Sequence, residues 1–139
     1  MPVCTDCHSS HAIIDPITAE ARLQSADTCG DCHSEYLTTF RATFHGQSSH
    51  LGLAAAATCS DCHTSHANLP ADDPKSSVHP DNVVETCASC HPGSHRRFAG
   101  YLTHATHHDQ DKYPWLFYSF WFMTALLVGT LTFALLHTF

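Results

Sequence analysis

The sequence predicts a mostly irregular and α-helical fold: a small domain over residues 1–112 whose core is not built from its own side chains, then one transmembrane helix over 113–139. Three observations predict it. All charged residues, six basic and thirteen acidic, lie at or before Lys112. Residues 1–112 hold only 16 Leu, Ile, Val and Phe, about 14%, which is below the level at which a charged chain folds on its own apolar groups. The last 27 residues, Tyr113 to Phe139, carry no charge and contain 17 large apolar or aromatic side chains. The net charge of -7 therefore sits wholly on the first domain, and it gives no support for nucleic-acid binding.

What replaces the missing core is written in the cysteines. All eight fall into four copies of one pattern: Cys4-Thr5-Asp6-Cys7-His8, Cys29-Gly30-Asp31-Cys32-His33, Cys59-Ser60-Asp61-Cys62-His63 and Cys87-Ala88-Ser89-Cys90-His91. C-x-x-C-H is the attachment signature of c-type haem. Its two thiols form thioethers to the vinyl groups on one porphyrin edge, and the adjacent imidazole is held under the iron as proximal ligand. A disulfide framework or paired zinc knuckles would use the same cysteines but give no reason for a His after every second one. Thioredoxin-like redox motifs need a surrounding β-α-β pattern, which is absent. Four covalent haems c, with iron ligated by His8, His33, His63 and His91, are therefore expected. Their large apolar faces would supply the hydrophobic term that the side chains lack, at roughly 25 cal/mol per Å2 buried.

The motifs form two similar halves, residues 1–55 and 56–112. In each, the first motif extends to C-x-x-C-H-x-x-H, ending at His11 or His66, and the second is followed by His45 or His104. An acidic residue before the second Cys recurs as Asp6, Asp31 and Asp61. Between motifs, stretches such as Ile14-Asp15-Pro16-Ile17 and Leu69-Pro70-Ala71-Asp72-Asp73-Pro74 read as turns. Short helices are expected at 18–24, 35–44 and 95–104. The aromatic residues Tyr36, Phe40, Phe44, Phe98 and Tyr101 on the latter two are expected to pack on haem faces. No alternating run is long enough for a strand.

Ten histidines remain after the proximal four: His11, His45, His50, His66, His79, His95, His104, His107, His108 and His137. Closed electron-transfer haems need a second strong ligand each. Methionine cannot supply it, since Met1 is terminal and Met123 lies in the hydrophobic segment. The repeat selects four distal ligands, His11 with His66 and His45 with His104. On a helical turn His8 and His11 would lie on adjacent faces about 5 Å apart, unable to share one iron, so they serve two haems. His79, which has no counterpart in the first half, is the main rival. His50, His95, His107 and His108 fit solvated surface or hydrogen bonding to haem propionates.

Trp115 to Leu136 is 22 residues without a charge, enough to cross about 30 Å of hydrocarbon. Tyr113, Trp115, Tyr118 and Trp121 form an aromatic belt at its entry, and Pro114 suits a first helical turn. Haem c attachment occurs on the far side of the cytoplasmic membrane, which places residues 1–112 on the periplasmic or extracellular face. No export signal precedes Cys4 and no basic residue follows the helix, so both ends read as trimmed. His137 is an intramembrane ionisable group, either a haem b ligand or quinone contact or else a helix-packing or interfacial residue.

The runs Phe44-His45-Gly46-Gln47, Cys59 to His66, Ser77-Val78-His79-Pro80-Asp81-Asn82-Val83 and Cys87 to Pro92 resemble bacterial multihaem cytochromes c with doubled C-x-x-C-H motifs. The continuation from Tyr101-Leu102-Thr103-His104 through Lys112-Tyr113-Pro114 to Leu136-His137-Thr138-Phe139 is similar to members in which a tetrahaem c domain joins a membrane cytochrome b module that handles quinones. In such proteins the His before Gly and the His of -x-x-H are distal ligands, which implies His45, His11 and His66. The expected function is electron relay, not catalysis, between a quinone-linked or cytochrome b partner, or other multihaem cytochromes, and a periplasmic or extracellular acceptor. A multihaem nitrite or hydroxylamine enzyme would need an open iron, and no C-x-x-C-K variant occurs. A polymeric cytochrome filament would need a spare His to reach the next subunit.

Overall fold

The computed structural model describes residues 2–138, which divide into two units, Met1–Thr103 and His104–Phe139. Among its described residues the first unit holds seven short helices: α1 (Cys4–His8), α2 (Ala19–Gly30), α3 (Ser34–Arg41), α4 (Phe44–His50), α5 (Cys59–His63), α6 (Val83–Ala88) and α7 (Arg96–Ala99). Among the described residues there is no strand. Helices α2, α3 and α4 pack in succession, α5 lies against α2, and α6 lies against α7.

Local chemistry sets these boundaries. Thr18 starts α2 by accepting the Ala21 N–H on its hydroxyl at 3.2 Å, and the helix runs on to Gly30, well past the expected end at 24. The single helix expected over 35–44 is two. Thr43, buried and extended, donates its hydroxyl to the Phe40 carbonyl at 2.7 Å and accepts the Gly46 N–H at 3.1 Å. It thus closes α3 and caps α4, because a threonine that can bond locally to the backbone competes with helix continuation. Gly46 is required there, since a Cβ would collide with the backbone carbonyl of Phe40. The third expected helix, 95–104, shrinks to Arg96–Ala99, with Gly100 as its C-cap.

The apolar core of the first unit is as thin as its composition requires. Among the described residues only Ala26, Phe40 and Ala56 are buried hydrophobics, beside the buried hydroxyl residues Thr43, Ser49, Thr58 and Ser76. Phe40 packs inward, whereas Ile17 and Phe44 are 82% and 78% exposed, leaving apolar surface for something else to cover.

In the second unit, α8 (Pro114–Thr138) is a single 25-residue helix, long and apolar enough to cross a membrane. Pro114 occupies its first position, where the missing N–H costs nothing. Before it, the Lys112 N–H donates to the Asp109 carboxylate at 2.9 Å and Gln110 donates to the Tyr118 hydroxyl at 2.6 Å. The His107 ring stacks on Phe120 at 3.7 Å between centroids and lies 3.9 Å from the His108 ring.

Candidate haem attachment sites

Each C-x-x-C-H forms one α-helical turn. In the first motif of each half the turn is a helix of its own, α1 or α5. In the second motif the turn closes on the end of α2 or α6: the His33 N–H donates to the Cys29 carbonyl at 3.0 Å, and the His91 N–H to the Cys87 carbonyl at 2.9 Å. Residues i, i+3 and i+4 of such a turn share one face. Both thiols and the imidazole of every motif are therefore presented together, the arrangement that a porphyrin edge and its iron require. No disulfide joins any of the eight cysteines, and among the described residues no cage of three or more His, Cys, Asp or Glu side chains is formed. A c-type haem needs no such cage, because its macrocycle supplies four of the six donors to iron. The donor set fits the group.

The recurring aspartate has a structural cause. In α1 the Asp6 carboxylate accepts the Val3 N–H at 2.8 Å; in α5 the Asp61 carboxylate accepts the Thr58 N–H at 2.7 Å and the Thr58 hydroxyl at 2.9 Å. Each is the third residue of its helix, folded back on the helix start. Asp31 plays no such part, since it ends α2. Asp61 does more, because Arg22 on α2 reaches it at 3.1 Å while donating its Nε to the Ala54 carbonyl at 2.9 Å. Partial burial works against ionisation of Asp61, but the Thr58 donors and Arg22 outweigh it and hold the carboxyl below its ordinary value.

Replacing Asp61 with Ala is therefore expected to lower stability by about 1–2 kcal/mol, the worth of a strong cap. Asp6→Ala, whose partner is one exposed N–H, will cost less; paired thermal melts check both. Since the folded-state pKa of Asp61 lies below the unfolded value of 3.8, its contribution is complete above that pH and fades as pH falls through the folded value.

Both short helices end in the same way. Ser9 (φ 59°) and Thr64 (φ 60°) adopt positive φ although neither is glycine. The chain leaves the helix sharply at these points, which corrects the expectation that His8 and His11 lie on one helical turn. His11 and His66 instead follow a break, and each is free of its own motif's helix.

The third motif is the most enclosed. Cys59, Cys62 and His63 are half-buried, and burial holds His63 below the ordinary histidine value. The Cys29 and Cys59 thiols are hydrogen-bond neighbours. That bond, against the effect of burial, brings Cys29 down to about 7, and it raises Cys59. Cys62 is raised by burial and then by the nearby Cys87, Asp61 and Cys90. The third motif thus adjoins the second, as the packing of α5 on α2 also shows.

Two histidine pairs come together across the repeat. The His8 and His66 rings are 6.1 Å apart at an interplanar angle of 27°, and the His45 and His91 rings 5.9 Å apart at 31°. Phe98 packs against His91 at 5.1 Å, beside a cleft of about 300 Å3 lined by Cys90, His91, Pro92, His95 and Phe98 among others. His33 lies by Tyr36 at 6.2 Å. His11 is exposed, and His104 belongs to the second unit. His79 Nδ1 accepts the Asp81 N–H at 3.2 Å, inside a turn network that the sequence reading did not foresee. There the buried Ser76 donates to Leu69, Asn82 donates to the Pro74 and Ser76 carbonyls, and Thr86 donates to Ser77. In α8 the His137 ring stacks on Phe133, 5.7 Å away.

Comparison of the chain with protein-family models, curated proteins and solved structures returns no match.

Proposed function

We propose that the first unit carries four covalent haems c and that the chain is a membrane-anchored electron relay. The observation that carries this reading is the use of every cysteine in four C-x-x-C-H turns. Cys4 and Cys7, Cys29 and Cys32, Cys59 and Cys62, and Cys87 and Cys90 would form the thioethers. His8, His33, His63 and His91 would be the proximal ligands, and His11, His45, His66 and His104 the distal ones. The haem iron, when bound, supplies one-electron ferric/ferrous chemistry. The protein's part is to fix two imidazoles on each iron, hold the attachment turns close together, and keep substrate away from the metal. The packing of α5 on α2, which brings the third motif to the second, supports a short transfer distance between those two. Closed His–His pairs favour transfer over substrate conversion.

The apolar helix α8 would hold this unit at the outer face of the cytoplasmic membrane, facing a quinone-linked or cytochrome b partner on one side and a periplasmic or extracellular acceptor on the other. The test is the intact mass and optical spectrum of protein made with a haem-attachment system. Four covalent haems, all six-coordinate and low-spin, are expected; protein exported into that system without covalent haem would end the proposal.

A further inference from the structure

We infer that the two halves of the repeat exchange distal ligands: the haem on Cys4 and Cys7 takes His8 and His66, and the haem on Cys87 and Cys90 takes His91 and His45. This rests on the tetrahaem reading and adds to it which histidine serves which iron.

The inference stands on ring geometry. Two imidazoles that bind one iron through a nitrogen at about 2.0 Å each, with roughly 1.1 Å from that nitrogen to the ring centre, have centroids about 6 Å apart. His8 with His66 and His45 with His91 stand at 6.1 and 5.9 Å. The separations fit two imidazoles held across one iron, and in each pair one ring is the histidine of a C-x-x-C-H turn while the other is a histidine outside every such turn. His8, His66 and His91 are also exposed, so no apolar burial draws them together.

The backbone explains how each distal ring gets there. The positive φ of Thr64 turns the chain away from α5, so that His66 leaves its own motif. On α4, Gly46 permits close approach to the Phe40 carbonyl, which sets the position of His45 next to it. In both pairs the proximal His and the attaching cysteines come from one half and the distal His from the other. Neither half can therefore complete these two sites alone, and the two irons act as staples between halves that share little apolar core.

The experiment uses the full-length tetrahaem protein and the ferric electron paramagnetic resonance spectrum. His66→Ala is expected to turn one of the four irons high-spin. In a Cys4→Ala/Cys7→Ala background, which lacks the first haem, the same change should create no high-spin iron, whereas in a Cys87→Ala/Cys90→Ala background it still should. His45→Ala should behave in the opposite way in the two backgrounds. A high-spin iron produced by His66→Ala without the first haem, or four low-spin irons in either single variant, would overturn the assignment. Should the alanine variants not accumulate, His66→Met keeps a ligand and should give one haem a methionine–iron band and a raised potential, both lost in the Cys4→Ala/Cys7→Ala background. Persistence of that band there overturns the pairing. Protein bearing no covalent haem would remove the tetrahaem reading itself; four haems whose spin states ignore these histidines would remove the pairing alone.

Discussion

Substitution of all eight cysteines by alanine, or production without haem attachment, is expected to abolish cooperative folding of the first unit. The helices of that unit are too short to persist alone: the longest, α2, has 12 residues, and isolated helices of that length are marginal in water. They would have to be held by packing, and among the described residues the buried apolar side chains are one phenylalanine and two alanines. Burying those three side chains offsets the ordering of only about two or three residues. The hydroxyl networks around Thr43 and Ser76 satisfy polar groups but add little net stability, about 1 kcal/mol per bond. The holoprotein should melt in one sharp transition by far-UV circular dichroism. The haem-free chain should show weak helical signal and no transition. A haem-free form with a native-like, cooperative melt would show that the side chains suffice, and the view of the porphyrins as the core would fall.

How far the fold could be read from the sequence depended on the range of the interaction involved. The helical C-x-x-C-H turns and α8 were legible because each rests on residues close in sequence. The cap at Thr58 was legible in principle, since Thr58-x-x-Asp61 matches a helix-start pattern; the recurrence of the acidic residue was noticed, but its bond to the helix start was not. The break at Thr43 was missed because the aromatic spacing through Phe44 continues across it, and only the threonine's two hydrogen bonds interrupt the helix. The contact of Arg22 with Asp61 spans 39 residues and the pairing of His8 with His66 spans the two halves, so no local pattern carries either. Spacing identified His45 and His66 as candidates for ligation. Their partners became visible only once the chain had turned at Thr64 and packed at Gly46.

Two arginines placed in the middle of α8, Leu126→Arg with Val128→Arg, are expected to release the protein from the membrane. The 25 residues of α8 extend about 37 Å, more than the hydrocarbon thickness, and none is buried. Three of its hydroxyl groups are satisfied within the helix. Ser119 donates to the Leu116 carbonyl at 3.2 Å, Thr130 to Leu127 at 2.9 Å and Thr138 to Ala134 at 2.6 Å, as a lipid-facing helix requires. Its 11 Leu, Val and Phe residues contribute about 0.3–0.6 kcal/mol each to insertion, a total near 3–7 kcal/mol. A central arginine costs about 2.5–3.5 kcal/mol, so two cancel that driving force. Positions 126 and 128 lie on opposite faces, so one protected side of the helix cannot shelter both charges. The measurement is the fraction of protein that resists carbonate extraction, with haem content followed in the same samples. Transfer to the soluble fraction with all four haems retained is the expected result, because the attachment turns all lie within residues 4–91. Full retention in the membrane would mean that α8 is covered by protein instead of lipid, and the anchoring role would pass to whatever covers it.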